Sequence, residues 1–73
     1  MSATMTRRQG NQAGAKLRSA RLNAGMSPEE LGHRIGVSGR TIRRVEDGMV
    51  PQVRTMFALA EYFETQVTDL WAI

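Results

Sequence analysis

Residues 26–48 read MSPEELGHRIGVSGRTIRRVEDG and contain two short helical segments separated by only a few residues. The first segment opens with SPEE at residues 27–30. There the serine is a suitable N-cap, the proline suits the first helical position, and the second glutamate completes a capping box. Leu31 and Ile35 follow at a spacing of four and predict one buried face. Gly36 comes next, so this helix is expected to end at Ile35.

The second segment has Ser38 as its N-cap and is expected to run to Asp47, with Gly48 ending it. Ile42 and Val45 form its inner face. At about 100° per residue, three arginines lie nearly opposite that face and form a narrow basic strip, the arginine ridge: Arg40, Arg43 and Arg44. Such a strip is either a solvated helix surface or a contact surface for nucleic acid.

The rest of the chain predicts three more helices and no strand. A first helix is expected over residues 14–24, a fourth over 53–63 and a short fifth over 68–72. The second and third helices, joined through Gly36, Val37 and Ser38, form a helix-turn-helix. The predicted fold class is therefore all-α, with five helices.

Residues 1–13 are polar and lack apolar periodicity, so they are expected to form a flexible N-terminal arm. The domain itself is then expected over residues 14–73. Arg7 and Arg8 of the arm either reach DNA or simply begin the chain, and the sequence leaves both interpretations open.

Composition excludes several classes of function. The chain has 73 residues, enough for one small domain, and it contains no cysteine and a single histidine, His33. Disulfides, thiolate metal sites and cysteine nucleophiles are therefore excluded. No apolar run approaches the roughly 20 residues of a membrane helix, and the N-terminus lacks the apolar core of a secretory signal. We expect a soluble intracellular protein that is not an enzyme and needs no metal or cofactor.

The charge is distributed unevenly along the chain. Residues 1–44 hold nine basic and two acidic side chains, a net charge of +7, whereas residues 45–73 hold one basic and five acidic side chains. Nine of the ten basic residues are arginine, whose planar fork suits phosphate and guanine edges. A basic half on a small domain favours nucleic acid as the partner.

An ordered set of motifs over residues 14–71 resembles the Cro/CI family of helix-turn-helix proteins, also called the XRE family. The motifs are L-R-x-x-R in the first helix, M-S-x-E-E-L, I-G-V-S, T-I-x-x-x-E-x-G, then P, L-A-x-x-F and V-x-x-L. The resemblance implies a lambda-repressor-like domain of five helices. Its third helix, over residues 38–47, would lie in the major groove of double-stranded DNA.

The resemblance also implies which residues contact DNA. The residues at family positions that read base edges are Gly39, Arg40 and Arg44. The residues expected at phosphates are Arg18, Ser27, Ser38, Thr41, Arg43 and Arg54.

Two positions depart from the family pattern. Pro28 stands where the family usually has a glutamine that braces the recognition helix, so Arg18 or Arg34 would have to compensate. Gly39 stands where the family often has a polar base-reading side chain.

Arg21 and Glu46 are expected to form a structural salt bridge beneath the recognition helix. Arg21 lies in the apolar stripe of the first helix, and Glu46 lies about 40° from Ile42 on the third. The resemblance implies that these two positions pair, which would orient the recognition helix without contacting DNA.

These features together predict a sequence-specific transcriptional regulator that binds double-stranded DNA. A phage Cro-like repressor acting by operator occlusion is the leading interpretation, in the cytoplasm of a bacterial cell or a phage-infected host. The alternatives are the antitoxin of a toxin–antitoxin pair and a restriction-system controller. A homodimer or a monomer would suit the operator. Trp71 either packs on Leu22 or Leu70 or contacts a second copy of the chain.

Overall fold

Five α-helices follow one another in the protein, whose computed structural model describes the backbone of residues 7–71 and the side chains of residues 11–71. No strand occurs within that range. The helices are α1 Arg7–Asn23, α2 Pro28–Ile35, α3 Gly39–Glu46, α4 Val53–Tyr62 and α5 Val67–Leu70. The prediction of an all-α fold with five helices is confirmed. No helix in the described part of the chain is long and apolar enough to span a membrane.

The start of α2 is stabilised by the predicted capping box. The Ser27 hydroxyl accepts a hydrogen bond from the backbone N–H of Glu30 at 3.1 Å, and Glu30 Oε1 accepts one from the backbone N–H of Ser27 at 3.2 Å. At the other end, Gly36 adopts a left-handed backbone (φ 83°), and its N–H donates to Gly32 O. A Cβ on Gly32 would lie 2.5 Å from Val37 O, so only glycine lets the turn pack this closely on α2.

Ser38 caps α3 in the same way, because its hydroxyl accepts a hydrogen bond from the backbone N–H of Thr41 at 3.1 Å. Ile42 and Val45 are buried in the core, as the sequence predicts. Asp47 is the C-cap residue, and its backbone N–H donates to Arg43 O. The helix that carries the arginine ridge is therefore held at both ends by local hydrogen bonds and along one face by the core.

The first helix is longer than predicted. It begins at Arg7 and not at residue 14, so residues 7–13 of the expected arm are helical, and residues 1–6 lie outside the described residues. The physical reason is tertiary contact. Ala13 and Gly14 are buried, and α1 packs against α3. The polar sequence before residue 13 gives no apolar periodicity from which this extension could be predicted.

The C-terminal end also differs from the prediction. The fifth helix spans Val67–Leu70, and its N-cap residue is Gln66, so Thr68, the expected cap, lies inside the helix. Lys16 Nζ of α1 donates a hydrogen bond to Asp69 O at 2.9 Å, which joins α5 to the first helix. A helix of four residues has little stability of its own, so such tertiary contacts hold it in place.

Trp71 is fully buried in the core, so within this chain it packs and does not present a surface to a second copy. The core residues are Ala13, Leu17, Met26, Leu31, Ile42, Val45, Met56, Leu59, Ala60, Val67 and Trp71. The indole Nε1 of Trp71 is buried without a hydrogen-bond partner among the described residues. The ring thus contributes apolar contact area at the cost of one unsatisfied donor.

Gly14 is the point of closest approach between α1 and α3, and it provides a test of that packing. A Cβ on Gly14 would lie 2.6 Å from Val45 O and still closer to Glu46 O. Helix propensity alone favours alanine over glycine by about 1 kcal/mol. We expect the opposite sign for Gly14→Ala, a loss of about 1–3 kcal/mol of unfolding free energy, because the added methyl group pushes the helices apart.

Thermal unfolding followed by circular dichroism measures this change. Ser19→Ala, an exposed substitution on the same helix, serves as the control and should change the unfolding free energy by less than about 0.5 kcal/mol. A Gly14→Ala protein more stable than the wild type would contradict the close approach.

Candidate nucleic-acid interface

The outer face of α3 is a row of exposed basic side chains. Ile42 and Val45 hold the opposite face in the core, and Arg40, Arg43 and Arg44 are all exposed. From the helical angles, Arg40 points almost directly away from the core, while Arg43 and Arg44 lie on its two flanks. An eight-residue helix is about 12 Å long, which suits insertion of one end into a major groove about 12 Å wide.

A buried ion pair fixes α3 from beneath. Arg21 Nε donates to Glu46 Oε2 at 2.7 Å, and Arg21 Nη2 donates to Glu46 Oε1 at 3.0 Å. The same guanidinium reaches the loop after α1, because its Nη1 donates to Met26 O at 2.8 Å. The two side chains are only 9% and 8% exposed. One arginine therefore links the first helix, the following loop and the recognition helix.

This pairing also stabilises the charged form of Arg21. The hydrogen bonds to Glu46 raise the pKa of Arg21 above its ordinary value, against the opposing effect of burial, and the charge of Glu29 adds to the rise. The guanidinium consequently stays protonated, and the paired carboxylate compensates its buried charge.

Arg18 and Arg43 line one surface notch beside Pro28, together with Arg21 and Glu46. Pro28 stands where the resemblance implies a bracing glutamine, and Arg18, one of the two residues considered as compensation, lies beside that position. Arg34, the other residue considered as compensation, lines one groove between α2 and α4 and a second groove along α2.

The other expected phosphate contacts lie in different settings. Ser27 and Ser38 use their hydroxyl oxygens as helix caps, and the hydroxyls of Ser38 and Thr41 are hydrogen-bonded at 3.0 Å. Thr41 also lines a groove with Gln52. Arg54 is exposed on the first turn of α4. Of the expected phosphate contacts, Arg18 and Arg43 therefore lie together in the notch. The serine and threonine hydroxyl groups lie at the N-terminal ends of α2 and α3.

Glu29 is a residue at this surface that the sequence argument assigned only to the first turn of α2. Its side chain lies over Gly39, where a Cβ would be 2.6 Å from Glu29 Oε2 and 2.9 Å from its Cγ. Its carboxylate forms an ion pair with Arg43, with both side chains more than half exposed. One feature of the sequence could have indicated this contact: residue 39 is a glycine, whereas the resemblance implies a polar side chain there.

Comparison with known proteins agrees with this geometry. A family model described as Helix-turn-helix matches residues 17–70. The chain therefore belongs to the helix-turn-helix family, a class of DNA-binding domains, and its resemblance to the Cro/CI type is confirmed.

The chain is similar to a putative HTH-type transcriptional regulatory protein of Methanoregula boonei (strain DSM 21154 / JCM 14090 / 6A8). The two are 39% identical over 59 residues, which cover 81% of this chain and 19% of that protein. This chain thus spans about a fifth of the relative's length.

Among solved structures, the fold is similar to that of the P22 c2 repressor protein in complex with synthetic operator 9T, crystallised in the presence of Tl+. The TM-score is 0.76 at 23% sequence identity, and the match covers 81% of this chain and 91% of that chain. At this identity the likeness establishes the fold.

The ion pair beneath α3 is tested by Glu46→Ala. The substitution leaves the Arg21 charge buried without its carboxylate, so we expect a loss of about 3–5 kcal/mol of unfolding free energy. A chain of this length has a total stability of about 4–11 kcal/mol, so the variant should be severely destabilised or unfolded. Urea unfolding followed by the fluorescence of Trp71 measures the loss.

Asp47→Ala removes the next acidic residue in the chain, which is exposed, and should change the unfolding free energy by less than about 0.5 kcal/mol. If Glu46→Ala also changed the unfolding free energy by less than about 0.5 kcal/mol, the pair would be dispensable for folding.

Proposed function

We propose that this domain is a sequence-specific regulator of transcription that binds double-stranded DNA through α3, acting as a Cro-like repressor. The observation that carries the proposal is the setting of that helix. The Arg21–Glu46 pair anchors it from beneath, and its outer face presents three exposed arginines. A helix held on one face and basic on the other is suited to enter the major groove as a rigid unit.

Base contacts are proposed for the N-terminal and central part of the outer face. Arg40 and Arg44 would each donate two hydrogen bonds to guanine O6 and N7, which discriminates against other bases by about 1–3 kcal/mol. Gly39, at the start of α3, has no side chain, so any base contact at this position would come from the group that occupies the space over it. A site rich in guanine on the contacted strand is therefore expected.

Phosphate contacts are proposed along the rim of the same surface. Arg18 and Arg43 share the notch beside α2, so they would bind the DNA backbone on that side of the groove. The caps of α2 and α3 contribute Ser27, Ser38 and Thr41, and α4 contributes Arg54. These contacts set the orientation of the domain on DNA and are independent of base sequence.

Operator occlusion is the mode of action that the domain would perform by itself. A domain seated in the major groove occupies several base pairs and excludes another protein from the same segment. The likeness to a repressor solved on its operator, and to a putative transcriptional regulatory protein, supports this proposal.

A homodimer is proposed as the binding species on the basis of the outer face of α4. Val53 and Phe57, one helical turn apart, are 62% and 60% exposed. Arg54 and Glu61 lie on the same face, one toward each end of the helix. Two antiparallel copies of α4 would bring Val53 and Phe57 of both copies together at a two-fold interface, which leaves Arg54 at its edge for the DNA backbone.

The proposal is tested by selecting binding sites from random duplex DNA at about 150 mM salt and determining the mass of the resulting complex. We expect an inverted repeat bound by two chains, with half-sites about one helical turn, or 34 Å, apart. A single chain bound to a single half-site would be consistent with a transcriptional regulator but would contradict binding as a dimer to an inverted repeat. Salt-sensitive binding without base preference would reject the sequence-specific function and make a protein partner, such as a toxin, the better hypothesis.

The separate roles of the arginines are tested by comparing Arg40→Ala with Arg18→Ala. Arg40→Ala should relax the base preference at one position of the selected site, because it removes a direct base contact. Arg18→Ala should weaken binding to all duplexes alike and reduce the slope of log affinity against log salt by about 1. Fluorescence anisotropy titrations on matched and scrambled duplexes separate the two effects. Equal, uniform losses in both variants would contradict the assignment.

A further inference from the structure

The recognition helix begins with a residue that has no side chain, and an acid from the preceding helix fills the space. Glu29 extends from the first turn of α2 across Gly39, so that its carboxylate lies where a side chain at position 39 would begin. The first turn of a recognition helix contacts base edges in this class of domain. We propose that Glu29 is a specificity-determining residue, which reads the amino group of a cytosine in the major groove.

Two properties of the contact favour a reading role over a structural one. The Glu29 and Arg43 side chains are 57% and 55% exposed, and an ion pair this exposed adds little to stability. The start of α2 is already stabilised by the Ser27–Glu30 capping box, which does not use Glu29. The Glu29 carboxylate is therefore available for a contact with DNA at the outer surface.

The pairing with Arg43 explains how a carboxylate is tolerated beside DNA. An unpaired acid at a phosphate-lined groove would repel the duplex. Arg43 Nη2 contacts Glu29 Oε2, which offsets the negative charge and holds the carboxylate at the start of α3. The guanidinium keeps its other N–H groups for phosphate, so Arg43 acts as a positioning residue for Glu29 as well as a cation.

The chemistry of the carboxylate selects the base. An ionised carboxylate only accepts hydrogen bonds, and in the major groove cytosine presents the N4 amino donor without an acceptor on the same base edge. Guanine N7 and O6 and thymine O4 are acceptors and would repel it. Adenine presents N7 beside its amino group and is disfavoured for the same reason. Specificity would thus come partly from repulsion of the wrong bases.

This inference rests on the proposed function, and binding-site selection with variants tests both. Glu29→Gln keeps the shape of the side chain and removes the charge. Gly39→Ala keeps the charge and displaces the carboxylate, because the new methyl group would occupy its place. Glu30→Gln is the matched control: it removes an equal charge one residue away and leaves an oxygen that can complete the capping box.

We expect the wild type to select a site with a fixed C·G pair at one position. Glu29→Gln and Gly39→Ala should both reduce the preference at that position by roughly 5- to 150-fold and leave the other positions unchanged. Glu30→Gln should retain the wild-type preference at every position. Circular dichroism melting curves establish that each variant is folded.

The contrary results are distinct from one another. Unchanged base preference in Glu29→Gln and Gly39→Ala, or a uniform rise in affinity in both glutamine variants, would overturn the reading role of Glu29 and leave the proposed function intact. Absence of any selected sequence for the wild type would overturn the proposed function and this inference together.

Discussion

The pair between Arg21 and Glu46 is the contact on which the arrangement of this domain depends. Two hydrogen bonds join the first helix to the third in a largely buried setting, and a third bond from the same guanidinium fixes the loop at Met26. Around it, Gly14 allows the backbones of α1 and α3 to approach, so α3 cannot shift without disrupting both contacts. A buried ion pair adds little net stability compared with apolar packing, but it is costly to break. Its effect here is to give the outer face of α3 one orientation.

That orientation gives the charges of the outer face distinct positions. In the proposed function the arginine ridge would supply attraction to any duplex, which is the main component of non-specific binding. Glu29, lying over Gly39 and paired with Arg43, places a negative charge within this positive surface. The proposed function therefore combines a general electrostatic attraction with groups that distinguish bases by the donors and acceptors they offer. Val53 and Phe57, the exposed apolar residues of α4, are not among the proposed base contacts, so dimer formation and base recognition would use different residues.

Much of the fold follows from local sequence signals. The limits of α2 and α3 were predicted from Ser27, Pro28 and Glu30, and from the cap at Ser38, because capping depends on hydrogen bonds within a single turn. The predicted start of α1 was wrong because residues 7–13 carry no apolar repeat that would indicate a helix. The burial of Ala13 and Gly14 depends on α3, which is distant in the sequence. The cap of α5 was also wrong, because a four-residue helix is held by contacts such as that of Lys16 and not by its own cap.

Local sequence signals were enough to predict the helix-turn-helix, its inner apolar residues and the arginine ridge, since these depend on spacing along one helix and on residues a few positions apart. The contacts between side chains of different helices could not be predicted in this way. Tertiary packing buried Trp71 in the core, placed Arg34 at a groove between α2 and α4, and placed the Glu29 carboxylate over the first residue of α3. The physical reason is that a side chain's partner on another helix depends on the angle and distance between the two helices. Those quantities are set by the packing of the whole core, which no local pattern encodes.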